Sequence, residues 1–163
     1  MTQIGEWIEK HRANGLLIDT NLLIVLLVGR TSPRRIPTCD RTQSYSIEDY
    51  RLLERLVAEF RTTITIPHIL TEVSNLDPLH GRERSQFQAH YQQWIEASRE
   101  FFDESRAVVH DPLFRPAGLA DAAISMVARH GMLVLTDDLR FWGMLLRRGI
   151  DAINFTHMRT QIW

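Results

Sequence analysis

The residues with the most chemistry to offer are carboxylates that each adjoin an apolar run. Asp19 ends Leu16-Leu17-Ile18, and Glu72 lies one helical turn past Ile64-Thr65-Ile66-Pro67. Asp121 opens Ala122-Ala123-Ile124, and Asp137 with Asp138 ends Leu133-Val134-Leu135-Thr136. In a parallel α/β sheet, strand ends that share one edge converge on a single crevice. Carboxylates gathered there repel one another and lose hydration. A divalent cation or bound protons offset that charge, so the pattern points to a site for Mg²⁺ or Mn²⁺. Taken singly, each acid also has a structural explanation: Asp19 and Asp137-Asp138 stand where helix caps stand, Asp121 lies in a first helical turn, and Glu72 suits a solvated helix face. Capping does not require carboxylates at every strand end, because Ser and Thr would cap without repulsion. Nor does it explain two adjacent acids at 137 and 138.

The elements that must position these acids follow from periodicity. Ile4 to Arg12 reads as a short amphipathic helix, Leu16 to Asp19 as a buried strand, and Leu22 to Val28 as a buried helix. Gly29 to Tyr45 is polar and rich in Arg, Pro, Ser and Thr, and reads as a mobile loop. Ser46 with Asp49 forms a capping pattern ahead of an apolar stripe from Leu52 to Phe60. Thr62 to Ile66 is a β-branched strand, and Pro67 opens a helix to about Asn75. A long helix is expected from about Arg82 to Asp103, then a short strand at Ala107 to His110. A helix from Gly118 to Arg129, a strand from Met132 to Leu135, a helix from Leu139 to Arg148 and a strand from Ile150 to Phe155 complete the chain. The alternation predicts one α/β domain over residues 1–163, a three-layer α/β/α sandwich with a central parallel sheet of about five strands.

Composition narrows the function classes. The 163 residues suit one core, and 44% apolar with 24% charged is ordinary for a soluble globular chain. A net charge of -1 supplies no global basic field, so an anionic partner must be held by local patches or through metal. Cys39 is the only cysteine, which excludes an internal disulfide and a thiolate metal cluster and suits a cytoplasmic protein. The polar start does not read as a signal peptide, and the apolar run Leu22 to Val28 is far below the roughly 20 residues a membrane span needs.

The order of the acids resembles PIN-domain ribonucleases, including the VapC-like toxins. The resemblance rests on Asp19-Thr20-Asn21, on Glu72 within Pro67-His68-Ile69-Leu70-Thr71-Glu72-Val73, on Gly118-Leu119-Ala120-Asp121-Ala122, and on Thr136-Asp137-Asp138-Leu139-Arg140-Phe141. It spans roughly Leu16 to Phe155. It implies catalytic acids at Asp19, Glu72, Asp121 and Asp138, with Asp137 in a variable place between. It also implies one or two Mg²⁺ or Mn²⁺ ions, supporting hydrogen bonds from Asn21 and Thr136, and endonucleolytic hydrolysis of RNA, with toxin or defence nuclease as the common cellular role.

The chemistry agrees with that implication. Phosphodiester hydrolysis needs an activated water and charge relief on phosphate oxygens, and carboxylate-held metal supplies both. Asp19, Asp121 and Asp138, with Asp137 as a further candidate, would ligate metal, and Glu72 would ligate or orient water. Arg34, Arg35 and Arg41 in the loop and Arg140 after the Asp138 turn would grip phosphate, as arginine does in bidentate fashion. The expected partners are RNA, an antitoxin protein and a second copy of the chain, with no membrane. Two other classes compete. A Mg²⁺-dependent phosphoacceptor or phosphatase domain usually needs a late lysine, and Lys10 is the only lysine here. A non-catalytic PIN-like binding module would not need all four acids.

Overall fold

Leu16 to Ile18 is apolar on both faces and wholly buried, as a central strand of a parallel sheet must be. A computed structural model describes residues 2–161 and builds outward from that strand. The order is α1 (Gln3–His11), β1 (Leu16–Ile18), α2 (Thr20–Thr31), a 3-10 helix (Pro33–Thr38), α3 (Ile47–Ala58), β2 (Thr63–Thr65) and α4 (Pro67–Asn75). Then come α5 (Gly81–Ala97), β3 (Arg99–Glu100), α6 (Ser105–Val108), α7 (Phe114–Ala117) and α8 (Leu119–Ala128). The chain continues as β4 (Leu133–Thr136), α9 (Leu139–Arg147), β5 (Ala152–Asn154) and α10 (Phe155–Gln161).

All five strands are parallel, in the order β3-β2-β1-β4-β5. Helices cover the sheet on both sides, giving the expected three-layer α/β architecture. Right-handed crossovers place the helices that join β1 to β2 and β2 to β3 on the face opposite the β4-to-β5 helix α9. The strand order reverses between β1 and β4, so their carboxyl ends open a crevice at a topological switch point. Register is fixed by burial: Leu16, Leu17 and Ile18 pair with Leu133, Val134 and Leu135, all fully or almost fully buried. Gly15 enters β1 at φ +111°, where a Cβ would meet the Ile64 and Thr62 side chains at 2.9 Å. Only glycine suits both the left-handed conformation and the close neighbour strand. No helix among the described residues is long and apolar enough to cross a membrane.

Three expectations are corrected. The long helix stops at Ala97, and Ser98 turns the chain into β3, whose Arg99 and Glu100 pair with Ile64 and Thr65. The expected strand at Ala107 to His110 is instead part of α6 and its following turn, and the sheet's edge strand is β3. The segment 29–45 is not an open loop. Gly29 to Thr31 finishes α2, Pro33–Thr38 winds as the 3-10 helix, and Ile36, Cys39, Thr42 and Tyr45 are buried. The Thr42 hydroxyl donates to Ile36 O at 2.7 Å, which closes the segment on itself.

Candidate functional site

Asp19 is placed by β1. It is the first residue past the strand, and its Oδ1 caps α2 by accepting the Thr20 N–H at 2.8 Å. Its Oδ2 accepts from the Thr136 hydroxyl at 2.7 Å, a contact that crosses from β1 to the end of β4. That same hydroxyl oxygen accepts the Asp138 N–H at 3.1 Å, so one buried threonine orients the acids of two strands. Asp138 caps α9, with Oδ1 accepting the Phe141 N–H at 2.9 Å, and is exposed. Asp121 comes from the first turn of α8, and Glu72 from α4.

The charges of these acids reach one another. Burial pushes the Asp19 carboxyl up to about 6; hydrogen bonds from Thr136 and Thr20 pull it back, and the charges of Asp137 and Glu72 raise it. Burial likewise pushes Asp121 up to about 7, with Asp19, Asp138 and Glu72 each raising it further. Asp121 and Glu72 have no side-chain hydrogen bond or ion pair among the described residues. A small crevice lined by Pro116, Ala117, Asp121, Asp138, Arg140, Phe141 and Met144 opens at this point.

Two carboxylates, Asp121 and Asp138, line the crevice with no thiolate and no imidazole, and such oxygen donors would suit a hard cation. Among the described residues, no three His, Cys, Asp or Glu side chains stand together as a ready-made ligand cage. Magnesium commonly keeps several waters and takes one or two protein carboxylates directly, a demand this spread of acids can meet.

Asp137 faces differently from Asp138. Its Oδ2 accepts from the Tyr45 hydroxyl at 2.6 Å and from Asn21 Nδ2 at 3.4 Å. Burial and the Asp137 carboxylate hold the Tyr45 phenol far above its ordinary value, so it stays a proton donor. Tyr45 is in turn fixed from α10: the Arg159 guanidinium lies 5.1 Å from its ring centroid, pairs with the buried Asp49 at 2.6 Å and donates to Ser44 O at 3.3 Å. Sequence reasoning missed Tyr45. The one available signal was an aromatic at the end of a polar stretch, directly before a capping box.

Of the arginines expected to grip phosphate, the structure brings Arg140 to the acids. Arg35 is paired with Glu83 at 3.3 Å, while Arg34 and Arg41 are exposed on the 3-10 segment and its following turn, without an ion pair among the described residues. Set against known proteins, the chain matches no family model, no curated protein and no solved structure. Fold and acids together define an α/β protein with a carboxylate-lined crevice at its switch point.

Proposed function

We propose that the chain is a Mg²⁺- or Mn²⁺-dependent endoribonuclease of the PIN type. The observation that carries this reading is the pair Asp19 and Asp121. Both carboxyls are pushed toward neutrality by burial and by surrounding carboxylates, at the edge where a parallel sheet reverses its strand order. A fold keeps such repulsion where a cation, or a proton in transit, offsets it. Asp19, Asp121 and Asp138 would hold the metal, which when bound lowers the pKa of a water and relieves phosphate charge. Glu72 orients water from the α4 side, Thr136 fixes Asp19, and Arg140 meets a phosphate at the mouth of the crevice. Asp137, held by Tyr45 and Asn21, adds charge behind Asp19. RNA is the substrate of this reading, with an antitoxin protein and a second copy of the chain as further partners and the cytoplasm as its compartment.

The test is cleavage of a mixed RNA pool with Mn²⁺ or Mg²⁺, against excess EDTA and against a folded Asp19→Asn, Asp121→Asn double variant. Metal-dependent cleavage that disappears in the variant supports the reading. No cleavage, with equal metal affinity in both proteins, would sink the site and leave a non-catalytic binding module.

A further inference from the structure

A second concavity lies one strand away from the acids. It is formed by α1, α9, β5 and α10, encloses about 360 Å³, and is walled chiefly by Ile4, Trp7, Trp142, Leu146, Ile153 and His157. That size falls within the range of small-ligand pockets. Its apolar wall contains one unanswered polar group. Asn154 is 2% exposed and lines the concavity, yet its Nδ2 has no hydrogen-bond partner among the described residues. The orientation of the amide is fixed, because Oδ1 accepts the His157 N–H at 3.2 Å. A buried donor left without an acceptor is costly, and this one waits beside two tryptophans that are only part-buried.

Among the described residues, the groove shares no wall with the crevice at Asp121 and Asp138, but it is linked to the acids through the sheet and through α9. Asn154 is paired in register with Thr136, the residue whose hydroxyl holds Asp19. Paired residues on neighbouring parallel strands stand about 4.8 Å apart and point to the same face. Trp142 lies one turn into the helix that Asp138 caps, its N–H donating to Asp138 O at 2.9 Å. The indole is held rather than loose: Nε1 donates to Ala152 O at 2.8 Å, and the His157 ring meets it edge-on at 5.0 Å.

We propose that this groove receives one unpaired nucleobase of the strand whose phosphate lies at Asp19, Asp121 and Asp138; the inference rests on the ribonuclease reading. Every base offers a flat face for an aromatic wall and at least one acceptor for the Asn154 amide. A base held in a duplex cannot enter, so the substrate is single-stranded next to the cut. The amide donor favours a base that presents an acceptor over one that presents only a donor at that edge.

The test uses the full chain and short oligoribonucleotides in which each position beside the cleaved bond is made abasic in turn. Asn154→Asp keeps the oxygen that accepts from His157 and removes the donor. It should raise KM by about tenfold for the intact oligonucleotide. The substrate with an abasic residue at the groove position should show no such change, because the lost partner is absent already. Nucleoside monophosphates in EDTA should quench tryptophan fluorescence, and less so in the variant. Equal KM for the two proteins at every position, with cleavage intact, overturns the groove and leaves the nuclease standing. Quenching with no cleavage of any RNA overturns the nuclease reading and, with it, the groove's place on a substrate track.

Discussion

The Thr136 hydroxyl lies 2.7 Å from Asp19 Oδ2 and so ties the ends of β1 and β4, strands that are neighbours in the sheet but far apart in the chain. Thr136→Val keeps the shape and the β-branched fit to the strand while removing that donor and the acceptor of the Asp138 N–H. The expected cost is about 1–3 kcal/mol in a urea melt. The Asp19 carboxyl should titrate higher, since the Thr136 bond is among the contacts that hold it down. Thr136→Ser should retain most of both. Equal melts for Thr136→Val and wild type would show that the bond contributes nothing to the fold.

Asp121→Asn should stabilise the metal-free protein, and only at the upper end of the pH range. The folded-state carboxyls lie above their ordinary value of 3.8, so the protonated forms favour folding. That contribution is complete below the ordinary value and is lost as pH rises through about 6 for Asp19 and about 7 for Asp121. Removing the charge at Asp121 should therefore gain about 1–2 kcal/mol at pH 8 after allowance for its partial exposure, and close to nothing at pH 4. Thermal melts of both proteins in EDTA across that range read the difference directly. Added Mn²⁺ should reverse the order, stabilising wild type more than the variant.

Tyr45→Phe should cost about 1–2 kcal/mol by removing the phenol that donates to Asp137. The loss should be coupled to Asp137. In an Asp137→Ala background the same change should cost less, and a double-mutant cycle by chemical denaturation measures the coupling. Additive losses would mean that the phenol matters for packing alone.

Gly29→Ala should destabilise by about 1–3 kcal/mol, although alanine is the better helix former. The added Cβ would collide with the Tyr50 ring, which packs onto the end of α2 and whose hydroxyl donates to Glu54 at 3.3 Å. Combining the change with Tyr50→Ala should relieve the clash, and calorimetry of the single and double variants checks it.

Much of this architecture can be read directly from residues. The apolar runs at Leu16 and Leu133, the β-branched run at Thr63, Pro67 at the first position of α4, and the Ser46–Asp49 capping box all lie where local rules put them. What escaped has physical causes. Arg99 and Glu100 are exposed and charged and become a strand only because β2 offers them an edge. The 29–45 segment has a loop's composition, but Ile36, Cys39 and Tyr45 supply anchors too widely spaced to form a periodic signal. Short α10 follows β5 without an intervening residue. The acids were legible as types at strand ends. The Tyr45–Asp137 bond was not, because it depends on a contact between segments 92 residues apart.

The placing of β4 against β1 has a consequence for synthesis. A chain leaving the ribosome exposes Asp19 early and Glu72 midway, and neither meets the crowd that perturbs its neighbours until residues 133–138 have emerged and β4 has closed on β1. Strand order thus sets when the acids meet: the cluster at the β1 and β4 ends is assembled only as the sheet is completed.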